Sequence, residues 1–127
     1  MPETPGDGGL PDEETAEIRN HIDKSRNVAA IRELREHHPR ITALAAVHDS
    51  VAVRTLSALE TLSVRVPQEL AVLGFGNSDF GAWLPLPLTT VDIPTEAFGR
   101  QTARKILGTE PEDAPVPSPH VIIRETA

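Results

Sequence analysis

Two short, almost uninterrupted apolar runs limit what this chain can become. Ile41 to Val47 lies between Pro39 and Asp49, and Leu70 to Phe75 follows Pro67. Each is too short for a typical helix. Neither alternates apolar and polar residues as a half-solvated strand does, so each reads as a strand covered on both faces. Between them Ala52, Leu56 and Leu59 recur at helical spacing, with Asp49 or Ser50 placed to cap the helix and its end expected near Leu62. Strand, helix, strand at this spacing predicts a parallel sheet, because parallel neighbours need a crossover connection.

The flanks extend the pattern. Residues 1–11 hold three prolines and three glycines and are expected to form a flexible tail. Pro11 and the acidic Asp12-Glu13-Glu14 suit a first helical turn, with Ile18 and Ile22 on one face. The pattern lapses across 23–27 and resumes at Val28, Ile31 and Leu34 until Pro39, giving two helices or one interrupted helix. After the second strand comes a loop with Gly74, Gly76 and Gly81, then Leu84-Pro85-Leu86-Pro87-Leu88, which the prolines keep out of regular structure. A further helix is predicted from Pro94 or Thr95 through Leu107, packing through Ala97, Phe98 and Ala103 and stopped by Gly108. A proline-rich connector, Pro111 to Pro119, leads to a short closing strand, His120 to Arg124.

Composition narrows the function classes. At 127 residues, 39% hydrophobic but only 3% aromatic, the chain has room for one domain with a core of branched aliphatics. A formal net charge of −7 opposes a polyanion, so direct binding of DNA by this chain is not expected. There is no cysteine, which removes disulfides and thiolate metal ligation. The acidic, turn-rich start does not read as a signal peptide, and no apolar run approaches the ~18–20 residues of a membrane span, so a cytoplasmic location is expected. His37-His38 are adjacent on a helix and point apart, so no metal site is expected. No Ser-His-Asp order with an elbow motif is present, and no enzyme activity or cofactor is expected.

Several ordered segments carry a resemblance. Ile41 to Ala52 is an apolar strand ending in His48-Asp49, followed by two further residues and an alanine that open a helix. Val64-Arg65-Val66-Pro67-Gln68-Glu69-Leu70-Ala71-Val72 runs on into Leu73-Gly74-Phe75. Pro87-Leu88-Thr89-Thr90-Val91 precedes a helix with Phe98-Gly99-Arg100, and Val121-Ile122-Ile123-Arg124-Glu125 closes the chain. In this order and spacing the segments resemble the C-terminal part of the effector core of lactose/galactose-repressor (LacI/GalR) type transcription regulators, over roughly residues 27–127. The resemblance implies an α/β fold: a partial periplasmic-binding-protein-like lobe of type I, with a short, mainly parallel sheet flanked by helices. Residues 12–127 would form this effector-binding and dimerisation domain. The helix-turn-helix headpiece, the first-lobe βα units and the first strands of the second lobe are expected to be missing.

The resemblance also implies a site. Effectors in this fold sit at the carboxyl ends of parallel strands, which here are His48-Asp49 and Phe75-Gly76-Asn77. His48, Asp49 and Asn77 are the candidate contacts to a sugar-like effector. The family pattern carries Asn-Asp and Asp-Asp at these places, so His48 and Gly76 depart from it and an altered or lost effector site is expected. Asp49 reads first as a helix N-cap, and Asn77 and Asp79 read first as turn residues. The helix after Asp49 and the loop around Trp83 are implied to form a dimer interface through Val51, Arg54, Thr55, Ala58, Trp83, Leu84 and Leu86. The helix 95–107 would belong to the first lobe and needs another home for its apolar face. The expected partners are a second copy or a full-length regulator, with DNA reached only through a partner. The alternative is a stand-alone module that binds a small ligand or dimerises.

Overall fold

The computed structural model describes residues 24–127. The expected tail at 1–11 and the helical segment around Ile18 and Ile22 lie outside the described residues. Helix α1, Lys24–His37, turns Ile31 and Leu34 into the core and ends just before Pro39. Strand β1, Ala43–Ala45, then leads into α2, Asp49–Thr61. Strand β2, Ala71–Leu73, is followed by a 3-10 turn at Asp79–Trp83. Strand β3, Thr90–Asp92, helix α3, Thr95–Ile106, and strand β4, His120–Ile122, complete the order.

The parallel pairing is as expected: β1 and β2 align with Ala43 opposite Ala71 and Ala45 opposite Leu73. The expectation that both strands are covered on both faces holds for only one of them. Val72 of β2 is fully buried, whereas Ala43 and Ala45 of β1 are exposed. The reason lies in position, since β2 has neighbours on both sides and β1 is paired on one side only among the described residues. On the far side of β2, Leu73 bridges Thr89 in parallel, and the Gly74 and Gly76 N–H groups donate to the Thr89 and Val91 carbonyls. β3 pairs antiparallel with β4, so the mainly parallel layer continues into an antiparallel ribbon.

The core is aliphatic. Ile31, Ala52, Ala58, Leu59, Val64, Leu70, Val72 and Leu88 form one buried cluster, joining α1 and α2 to the face of β2 and to the end of the proline-rich segment. The last residues lock onto the sheet through Thr126. Its hydroxyl donates to the Val72 carbonyl at 2.7 Å and accepts from the Thr89 N–H at 2.9 Å, while its carbonyl accepts from the Val72 N–H. Each of these buried backbone groups would otherwise lack a partner.

Helix α3 forms where predicted, and Gly108 ends it at φ +69. Its packing does not follow the prediction. Ala97 and Ala103 are exposed and Phe98 only half-buried. Gln101 is the buried residue, held by hydrogen bonds to Glu110 and the Pro115 carbonyl. Ile106 is 81% exposed and Leu107 74%. The amphipathic pattern specified a face, and most of its apolar residues stay exposed.

Candidate functional site

The two strands carry their chain ends to one place. Beyond β1 and β2 the pairing continues: the Ala46 N–H donates to the Leu73 carbonyl at 2.8 Å and the Asp49 N–H to the Phe75 carbonyl at 3.1 Å. His48 and Phe75 therefore emerge side by side where α2 begins.

The roles within this place differ from the sequence expectation. His48, not Asp49, is the N-cap residue of α2. It has extended backbone (φ −149, ψ 154), makes no side-chain cap bond and has an exposed side chain. The capping reading of Asp49 is thus corrected, because Asp49 occupies the first helical position and turns its carboxylate away from the helix. Asp49 as a whole is 1% exposed. It accepts the Ser78 N–H at 2.6 Å and the Thr90 hydroxyl at 2.6 Å. Short, charge-assisted bonds of this kind are what make a buried carboxylate tolerable. Gly74 makes room for it, since a Cβ there would collide with the Asp49 side chain and with Leu88.

Asn77 sits in the same network. Its backbone is left-handed (φ +50) directly after Gly76 at φ +118. Its amide is engaged at both ends: Nδ2 donates to Asp92 at 3.0 Å, and Oδ1 accepts from Arg124 at 3.1 Å. Its N–H donates to the Thr90 hydroxyl oxygen at 3.2 Å. Arg124 also donates to the Leu88 carbonyl at 2.8 Å and lies against Gly81. His120 approaches Asp92 at 3.8 Å. Sequence reading placed Arg124 and His120 only in a closing strand and gave Thr90, Ser78 and Asp92 no role. The bonds join positions 41 and 47 residues apart, and no local pattern announces them. Asp79, the other turn candidate, opens the 3-10 turn and is exposed.

Among the described residues, no group of three or more His, Asp or Glu is arranged to hold a metal ion. His37 lies on α1 with Nδ1 at 2.9 Å from the Glu33 carbonyl. No helix among the described residues is long and apolar enough to cross a membrane.

The expected interface residues divide. Thr55 and Ala58 are buried in the core, with the Thr55 hydroxyl donating to the Val51 carbonyl at 2.9 Å, so neither can contact a partner from this position. The physical reason is helix phase: the core stripe of α2 is Asp49, Ala52, Thr55, Ala58 and Leu59. Val51 is half-buried and Arg54 exposed at the edge of that stripe. The outward face carries Val53, Leu56, Ser57 and Glu60, which with Val64, Val66, Leu84, Pro85 and Leu86 line a hollow of about 370 Å³. Leu84 and Leu86 are half-buried, and Trp83 is 86% exposed.

Comparison with known proteins agrees with this architecture. The family model of the periplasmic binding protein-like domain matches residues 3–127. The HTH-type transcriptional regulator CelR of Thermobifida fusca is 33% identical over 124 residues, covering 93% of this chain and 36% of that protein. The ribose operon repressor of Escherichia coli is 29% identical over 83 residues, 65% of this chain and 25% of that repressor. Among solved structures, a CelR–cellobiose complex aligns at a TM-score of 0.62 with 31% identity, over 84% of this chain and 34% of that one. A LacI family regulator from Lactobacillus casei with bound sucrose aligns at 0.66 with 26% identity, over 82% and 40%. The chain belongs to the periplasmic-binding-protein-like domain family, in the form found as the effector-binding domain of LacI-type transcription regulators. It spans about a third or less of the curated relatives it matches, and these relatives are transcription regulators rather than enzymes. The family match begins at residue 3, ahead of the segments at roughly 27–127 that carry the resemblance in the sequence.

Proposed function

We propose that this chain is the effector-sensing and self-associating portion of a LacI-type regulator, corresponding to the C-terminal part of its effector core. The strand ends at His48 and Phe75 take a small-molecule effector, and the outward face of α2 pairs with a second copy of the chain. The observation that carries the pairing is Trp83, 86% exposed and next in sequence to Leu84, which lines the apolar hollow on α2. A large uncovered aromatic beside an apolar depression has the anchor-and-pocket character of an interface centre. In a two-fold pair the Trp83 of each copy fills the hollow of the other, so one patch serves both partners. Val51 and Arg54 then lie at the rim, and Val53 and Leu56 replace Thr55 and Ala58 as contacts.

Light scattering coupled to size exclusion tests this. A dimer at micromolar concentration is expected, and Trp83→Ala should weaken it by roughly tenfold or more while the dissociated monomer melts as the wild-type monomer does. A monomer at every concentration from micromolar to nanomolar refutes the pairing.

Solved relatives hold cellobiose and sucrose, which makes sugars the first effector class to test. The exposed Ile106 and Leu107 favour a second reading, in which the chain associates with a full-length regulator that covers α3. Mixing experiments with such a regulator separate the two. DNA is reached through a partner or another part of a longer regulator, because a net charge of −7 provides no electrostatic footprint for phosphate. The working compartment is the cytoplasm, where such regulators meet DNA. No catalytic step is assigned.

A further inference from the structure

We infer that the strand-end site selects a flat ring ligand with a single hydrogen-bonding edge rather than a polyhydroxylated sugar; this rests on the strand ends being the effector site. Recognition of vicinal hydroxyls needs free carboxylates or amides that present acceptors and donors in pairs. Here those groups are already engaged by the protein. The two Asp49 oxygens are taken by Ser78 and Thr90, at 2.6 Å each, and the carboxylate is buried. The Asn77 amide is held between Asp92 and Arg124, and the neighbouring Gly76 has no side chain. Freeing the Asn77 amide would strand an Arg124 N–H that it now accepts.

What remains exposed is of another kind. Val47 and Phe75 end the two paired strands and are each roughly two-fifths exposed, as is Phe80 in the following 3-10 turn. The His48 imidazole stands exposed between Val47 and the start of α2. Asp79 is the exposed carboxylate in the loop and offers one more acceptor two residues beyond Asn77. Aliphatic and aromatic surface with an imidazole beside it suits a ring that lies on Phe75 and meets His48 along one edge.

Amide-resolved NMR titration of the full chain tests the inference, with nicotinamide and indole as flat probes and cellobiose and ribose as polyols. Saturable shifts at residues 47–49 and 75–77 are expected with nicotinamide, weaker ones with indole, and none with the sugars. Phe75→Ala should weaken nicotinamide binding by about tenfold, as loss of a stacking ring does, and His48→Ala should bring it down to the level of indole. Both variants should melt with the wild type. Sugar binding at these amides, without binding of the flat probes, overturns the ring preference and leaves the strand ends as the effector site. If neither class shifts them, the effector-site reading falls and the inference with it.

Discussion

Helices α2 and α3 are nearly equal in length, and each closes with the same pair of backbone bonds. In α2 the Ser63 and Val64 N–H groups donate to the Glu60 and Leu59 carbonyls; in α3 the Gly108 and Thr109 N–H groups donate to Lys105 and Arg104. Yet α2 buries Ala52, Thr55, Ala58 and Leu59, whereas α3 buries only Gln101. The difference teaches that amphipathic patterning and end signals make a helix, while a partner surface makes it part of a core. α2 lies against α1 and β2, and the apolar end of α3, Ile106 and Leu107, is exposed.

The strongest test of this contrast is a pair of leucines. Leu59→Ala should cost about 2–5 kcal/mol, since Leu59 is fully buried and its removal leaves a cavity. Leu107→Ser should change stability by no more than ~0.5 kcal/mol. Chemical denaturation of both variants decides it, and a large loss at Leu107 would show that α3 is covered in solution.

Asp49 ties the start of α2 to the loop after β2 and to β3. Asp49→Ala leaves the Ser78 N–H and the Thr90 hydroxyl without their acceptor and should cost ~1–3 kcal/mol. Hydrogen exchange should report the loss first at Ser78 and across β3. Protection unchanged there would mean that the backbone ladder alone holds the ribbon.

The helix ends give the smallest and most matched comparison. Ser63 adopts φ +57 and Gly108 φ +69, the left-handed geometry that favours glycine. Ser63→Gly should stabilise by up to ~1 kcal/mol, and Gly108→Ala should cost ~1 kcal/mol if α3 unfolds with the rest. Thermal melts showing no cost at Gly108 would mark α3 as a separately fraying unit.

Much of the fold was legible because its signals are local. The strands within 41–47 and 70–75, the stops at Pro39 and Gly108, and the Ile31-Leu34 face required only periodicity and punctuation, although the burial expected for the first strand did not follow. The candidate site was legible only as a location. His48 and Phe75 do meet at paired strand ends, but Asp49 passed for a cap because an acidic residue before a helix usually is one.

The opening pair of apolar runs marks the same boundary. By itself the sequence determined that two short strands flank a helix and pair in parallel, because length, branching and proline placement act within a few residues. Only the tertiary structure decided that β2 is covered while β1 stays exposed, that Thr55 and Ala58 point inward, and that Asp49, Asn77 and Arg124 belong to one network. Those outcomes depend on which surfaces meet across dozens of residues, and burial and hydrogen-bond partnership are properties of that meeting rather than of any residue alone.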